Sequence, residues 1–197
     1  MEVSFETNIA EWTRYLDQKV ARQVPFATAR ALTETAQRDP KPAAERQIRR
    51  RLDKPTPFTQ KGVAYRSASK SRLVATVLIK DIQAGYLRIQ ERGGTTTPKG
   101  RAFLIPVKQR RNKYGNLPRN TVKRLLARPD TFSGKVRGVG GIWQRMKSGK
   151  LKLLIRYENQ TTYRPRLGFH SEMEKIAVRA FPARFARSLE QAIRTAK

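Results

Sequence analysis

An α+β fold is predicted for this chain: a small antiparallel β-sheet packed against a long N-terminal helical segment and a C-terminal helix, with a long basic arm. Three patterns predict it. Apolar residues recur at spacings of three and four near both ends of the 197-residue chain, which lays apolar stripes on helices. Leu151, Leu153, Ile155 and Tyr157 alternate with Lys152, Leu154 and Arg156, the period of two that buries one face of a strand. RLVATVLIKD, residues 72–81, is rich in the β-branched side chains that suit a pleated surface. A single domain over 1–197 is expected, since the length suits one domain.

Residues 1–54 read as helices. Asn8 with Glu11 has the form of a capping box. Ile9, Trp12, Leu16 and Val20 make one stripe, and Phe26, Ala29, Leu32 and Ala36 the next. Pro25 suits a first helical turn or a kink. A short helix restarts near Pro42 with Arg46, Arg49 and Arg50 outside, and LDKPTPFTQKG is a turn punctuated by Pro55 and Pro57. Residues 72–107 carry the first strands: the 72–81 run, then GYLRIQERGG and GRAFLIPV around the loop GGTTTPKG. Residues 108–139 form a basic extended arm. Inside it NTVKRLLARP supports about two helical turns, with Asn120 as N-cap and Val122, Leu125 and Leu126 as its apolar face. Residues 140–158 form a β-hairpin turning at KSGK. Residues 171–196 close the chain as a helix, with Met173, Ile176, Ala177 and Ala180 on one face and Phe185, Leu189, Ala192 and Ile193 continuing after a break at Pro182.

Charge narrows the function. Forty-three Lys and Arg face fifteen Asp and Glu, a formal net charge of +28. It is uneven: −1 over residues 1–40, +20 over 41–140 and +9 over 141–197. Such a chain is drawn to polyanions: nucleic acid, acidic protein or anionic lipid. No apolar run approaches a membrane span and the N-terminus has no signal pattern, so no membrane partner is expected. Cysteine is absent, which excludes disulfides and thiolate metal sites and fits a reducing cytosol.

Catalytic equipment is thin. His170 is the single histidine and reads as a surface or capping residue. The carboxylates are scattered among Arg and Lys, without metal-ligand spacing. GKVRGVGG lacks the GxxxxGK[ST] pattern and a following helix, so it reads as a flexible turn. No enzyme, cofactor or metal is expected, and a nuclease or integrase accessory is disfavoured. Binding is better supported. Arg110, Arg111, Lys113, Arg119, Lys123, Arg124 and Arg128, with Tyr114 among them, could track a phosphate backbone or pair with an acidic neighbour. No module for base-specific readout is present.

The order ALTETAQ, RRRLDKPTPFT, YLRIQERGGTTTPKGRAFLIPV, GGIWQRMKSGKLKLLIRYE and a closing helix resembles tailed-phage neck and tail-completion proteins of the lambda minor tail protein Z type. The resemblance covers roughly residues 20–195. It is most specific at Phe103, Leu104, Ile105 and Pro106 and at the GIWQR strand. It implies a homo-oligomeric ring, with six copies as the working number, that caps the tail tube, docks toward the head connector and surrounds double-stranded DNA in the virion. Phe103, Leu104, Pro106, Ile142, Trp143, Leu153 and Ile155 are then the subunit's rigid scaffold. The rival expectation is a non-specific nucleic-acid-binding protein of a ribonucleoprotein or chromatin-like assembly.

Overall fold

A computed structural model describes residues 1–7 and 18–195. The Asn8–Glu11 capping box and the stripe positions Ile9, Trp12 and Leu16 lie outside the described residues. In place of one domain, the chain forms two compact units. Met1–Glu91 and Arg166–Lys197 make a terminal unit, and Arg92–Pro165 make a unit inserted into it.

The terminal unit holds β1 (Glu2–Phe5), α1 (Gln18–Arg38), α2 (Pro40–Arg51), the short turn of helix α3 (Pro57–Gln60), β2 (Val63–Arg66), β3 (Ala75–Ile79), α4 (Asp81–Arg92) and, after the insertion, α6 (Phe169–Thr195). Its sheet is antiparallel in the order β1-β3-β2, with Val77 opposite both Val3 and Tyr65. This is the small sheet packed on the N-terminal and C-terminal helices. β3 is the β-branched run, and Ala75, Val77 and Ile79 are buried. Helix α2 buries Pro40, Ala44 and Ile48, and α6 buries Phe169, Met173 and Ala177, each set four residues apart. Of these, Ala44, Ile48, Phe169 and Met173 join Leu32, Ala36, Leu87, Leu167 and the β3 side chains in one core.

Helix α1 packs along α6. Its buried face runs through Val24, Ala27, Thr28, Ala31, Leu32 and Thr35, while Phe26 is 41% exposed. Ala29, Leu32 and Ala36 of the expected stripe are buried, so Phe26 is its one exposed member and the buried face is wider than the stripe. The helix is continuous through Pro25, and α6 through Pro182. At Pro182 the reason is solvent: Pro182 and Val178 are exposed, so the carbonyl that loses its partner can be hydrated.

The Asp39 carboxylate, at the junction of α1 and α2, accepts from Arg184 Nε of α6 at 2.5 Å, with both side chains largely covered. Arg184→Ala is expected to cost about 1.5–3 kcal/mol, since the carboxylate loses a charge-assisted donor in a half-buried place. Chemical denaturation of the variant checks this. At the start of α6, Phe169 N and His170 N donate to the Glu91 carboxylate at 2.7 and 3.1 Å, which satisfies two orphan amides of the first turn. His170 itself is exposed.

The segment GYLRIQERGG, expected as a strand, is the body of α4. Its buried Gln83, Ala84 and Leu87 follow helical spacing. Gly93, with φ 69°, ends it in a conformation other residues resist.

The inserted unit holds β4 (Gly94–Thr96), β5 (Phe103–Pro106), α5 (Thr121–Leu126), β6 (Thr131–Val136), β7 (Val139–Arg145), β8 (Leu151–Glu158) and β9 (Thr161–Tyr163). β4 and β9 pair where the insertion begins and ends. The main sheet is antiparallel, in the order β5-β8-β7-β6. The expected hairpin is β7–β8, closed by Met146 N donating to Lys150 O at 2.8 Å and by Gly149 at φ 77°.

The extended arm expected over 108–139 is instead folded over most of its length. GKVRGVGG is no flexible turn: Arg137 and Gly138, at φ 48° and 83°, close the tight β6–β7 hairpin opposite the Val136–Val139 pair, as a two-residue turn with two positive φ values does. The helix at Thr121–Leu126 is present. Asn120 precedes it with φ 62° and gives no side-chain cap. Thr121 Oγ1 donates to Pro118 O at 2.6 Å there instead. Even 112–116 is ordered by the Asn112 side chain, which accepts from Tyr114 N and Asn116 N at 3.0 Å.

Candidate polyanion interface

The inserted unit carries nineteen Lys and Arg against two carboxylates, so +17 of the chain's +28 lies within residues 92–165. Both carboxylates are engaged. Asp130 pairs with Arg128 at 2.6 Å and accepts from Gln144 at 2.7 Å. Arg128, then Gln144, hold its carboxyl below the usual carboxylate range. Glu158 pairs with Arg156 at 2.7 Å. Seventeen cations thus have no counter-charge of their own within the unit, and the density of like charge is costly until something acidic arrives.

The seven predicted contact residues all fall in this unit, but in different states. Arg110, Arg119, Lys123 and Arg124 are exposed and make no ion pair among the described residues. Lys123 and Arg124 stand on α5, whose Thr121 and Leu125 are buried. Arg111 Nη2 donates to Pro106 O at 2.6 Å, so it also ties the segment back to β5. Lys113 sits 5.2 Å from the Tyr114 ring centroid. Arg128 is held by Asp130 through two hydrogen bonds, which makes it a structural residue first.

The scaffold residues also separate. Ile142 and Ile155 are cross-strand partners and fully buried, with Leu125 and Leu154, while Leu117, Val122 and Tyr157 pack on them. Phe103 and Pro106 of edge strand β5 are half-buried, and Leu104 is 42% exposed. Trp143 and Leu153 are opposite each other and half-buried. The simple alternation expected for β8 fails at one place. Between Ile142 and Trp143 the register shifts, so that Ile155 and Leu153 take their partners with Leu154 extra between them. A bulge turns the extra side chain aside, and Leu154 and Ile155 are both buried while Leu151 is 43% exposed.

Sequence reasoning passed over Lys135, Arg137 and Lys150, whose exposed side chains ring the two hairpin ends. The hairpin-turn signal at Arg137-Gly138 could have found them. Among the described residues, no group of His, Cys, Asp and Glu is placed to hold a metal ion, and no helix is long and apolar enough to cross a membrane. Comparison of the chain with family models, with curated proteins and with solved structures gives no match.

Proposed function

We propose that this chain is a non-enzymatic structural subunit of a tailed-phage neck or tail terminus, closing into a ring around the DNA conduit. The observation that carries the reading is the inserted unit, a folded body whose charge is uncompensated from within. The sequence resemblance to tail-completion proteins supplies the setting. A ring subunit needs rigid edges, and β5 and β6 are the two unpaired edges of the main sheet, of the kind that neighbouring chains extend.

Magnitude divides the charge between partners. Duplex DNA carries about one charge per 1.7 Å, so a channel roughly 30 Å tall faces only about 18 phosphates. Six inserted units would bring about 100 net positive charges, several times that number. DNA then takes the smaller share, and acidic neighbouring proteins the larger. Electron microscopy of the purified chain with its tail-tube partner tests this. Rings at one end of the tubes are expected. A persistent monomer that binds duplex DNA tightly and never joins a tube would contradict the proposal and favour a free-standing nucleic-acid-binding protein.

A further inference from the structure

We propose that one face of the inserted unit's main sheet docks an acidic protein segment through an apolar anchor side chain. The inference rests on the reading that most of this unit's charge meets protein rather than DNA.

The register builds the face. Ile142 and Ile155 are buried on one side of β7 and β8, so their neighbours Trp143 and Leu153 belong to the opposite side. Phe132 lies opposite Trp143 in β6, and Leu151 lies opposite Arg145. Here the sheet bears a depression of about 700 Å³ lined by Val136, Val139, Trp143 and Leu151, with Arg137 and Lys150 at its rim. That space admits an apolar side chain of a partner together with its flanking residues. Val139 and Leu151 are 36% and 43% exposed, so an apolar floor stands open between cations.

Charge selects the occupant. Among the described residues Arg137 and Lys150 make no ion pair, and the unit's two carboxylates are taken by Arg128 and Arg156. An anchor flanked by Asp or Glu complements both floor and rim. Nucleic acid fits less well, because bases stack on free, flat aromatic faces. The Arg145 guanidinium already lies 4.3 Å from the Phe132 ring centroid. Trp143 is half-buried, its Nε1 enclosed and without an acceptor, and the rest of the floor is aliphatic.

The chain has two tryptophans, Trp12 and Trp143. Trp12→Phe in the 197-residue chain therefore leaves Trp143 as its sole indole emitter. The probe is a short synthetic peptide of Asp and Glu with a central Phe-Leu pair, beside the same peptide with Ser-Ser and an oligothymidylate of equal charge. The Phe-Leu peptide is expected to shift Trp143 emission saturably and to bind at least about tenfold more tightly than the Ser-Ser control. Val139→Asp should remove that preference with circular dichroism unchanged. Leu151→Ser, at the other side of the depression, serves if Val139→Asp does not fold. Equal affinity for both peptides, or an unmoved Trp143 emission, overturns the proposal. So does an oligothymidylate that shifts the emission and displaces the peptide. Failure to form rings while the Phe-Leu preference persists would count against the neck reading and not against this site.

Discussion

Gly141→Ala is expected to unfold the main sheet of the inserted unit, at a cost of about 3 kcal/mol or more. A Cβ at this position would lie 2.3 Å from the Ile155 carbonyl oxygen and 2.7 Å from Leu153 Cδ1. Leu153 Cδ1 ends a flexible side chain and can turn aside, but the Ile155 carbonyl cannot yield cheaply, because Ile155 is the buried partner of Ile142 and the bulge at Leu154 has already set the local path of β8. Only a residue without Cβ permits this approach of β7 to β8. Gly141→Val should be worse still. Urea denaturation followed through Trp143 emission, in the Trp12→Phe background, reads the effect. Gly100→Ala is the control, since a Cβ there meets nothing within 4 Å and the φ is ordinary; a change within about 0.5 kcal/mol is expected. A Gly141→Ala protein as stable as its parent would show that the strand approach is looser than described.

The second large effect concerns binding. Replacing Arg110, Arg119, Lys123 and Arg124 together by Gln should leave the fold intact, since all four are exposed and make no ion pair among the described residues. The loss in affinity for duplex DNA should be about 100-fold or more at low salt, and the slope of log K against log salt should fall by about 3–4. Arg128→Gln behaves differently. It strips Asp130 of its partner, so its first consequence is a loosened turn between α5 and β6. An unchanged salt slope in the fourfold variant would remove this surface from the account, and a lost circular dichroism signal would make those residues structural.

Some of this was legible in the residues and some was not, for physical reasons. The β-branched run within 72–81, the hairpin over 140–158 and the short helix after Asn120 read directly, whereas Leu126, expected on that helix's apolar face, is 44% exposed and the alternation of β8 breaks at Leu154. Helix α4 was misread because GYLRIQERGG begins and ends with glycine and contains Tyr, Leu and Ile, all compatible with a strand. Its helical partners, Gln83 and Ala84, precede that window. A break is expected at Pro182, yet α6 runs through it, and the freed carbonyl lies at Val178, which is exposed to water. The two-unit division escaped because the terminal unit joins segments far apart in sequence. Charge was visible as composition, but that Asp130 and Glu158 are both engaged locally depends on how β6, β7 and β8 pair. The depression beside Trp143 escaped for the same reason: residues 136 to 151 meet across it only through register.

Co-sedimentation with purified tail tubes tests the central claim most directly, comparing the full chain with the Arg110, Arg119, Lys123 and Arg124 variant. The wild-type chain should pellet with tubes in a fixed ratio that salt weakens, and the variant should stay largely in the supernatant at the same salt. Equal pelleting of both proteins, or no pelleting of either, would contradict a ring subunit that docks through the cations of its inserted unit.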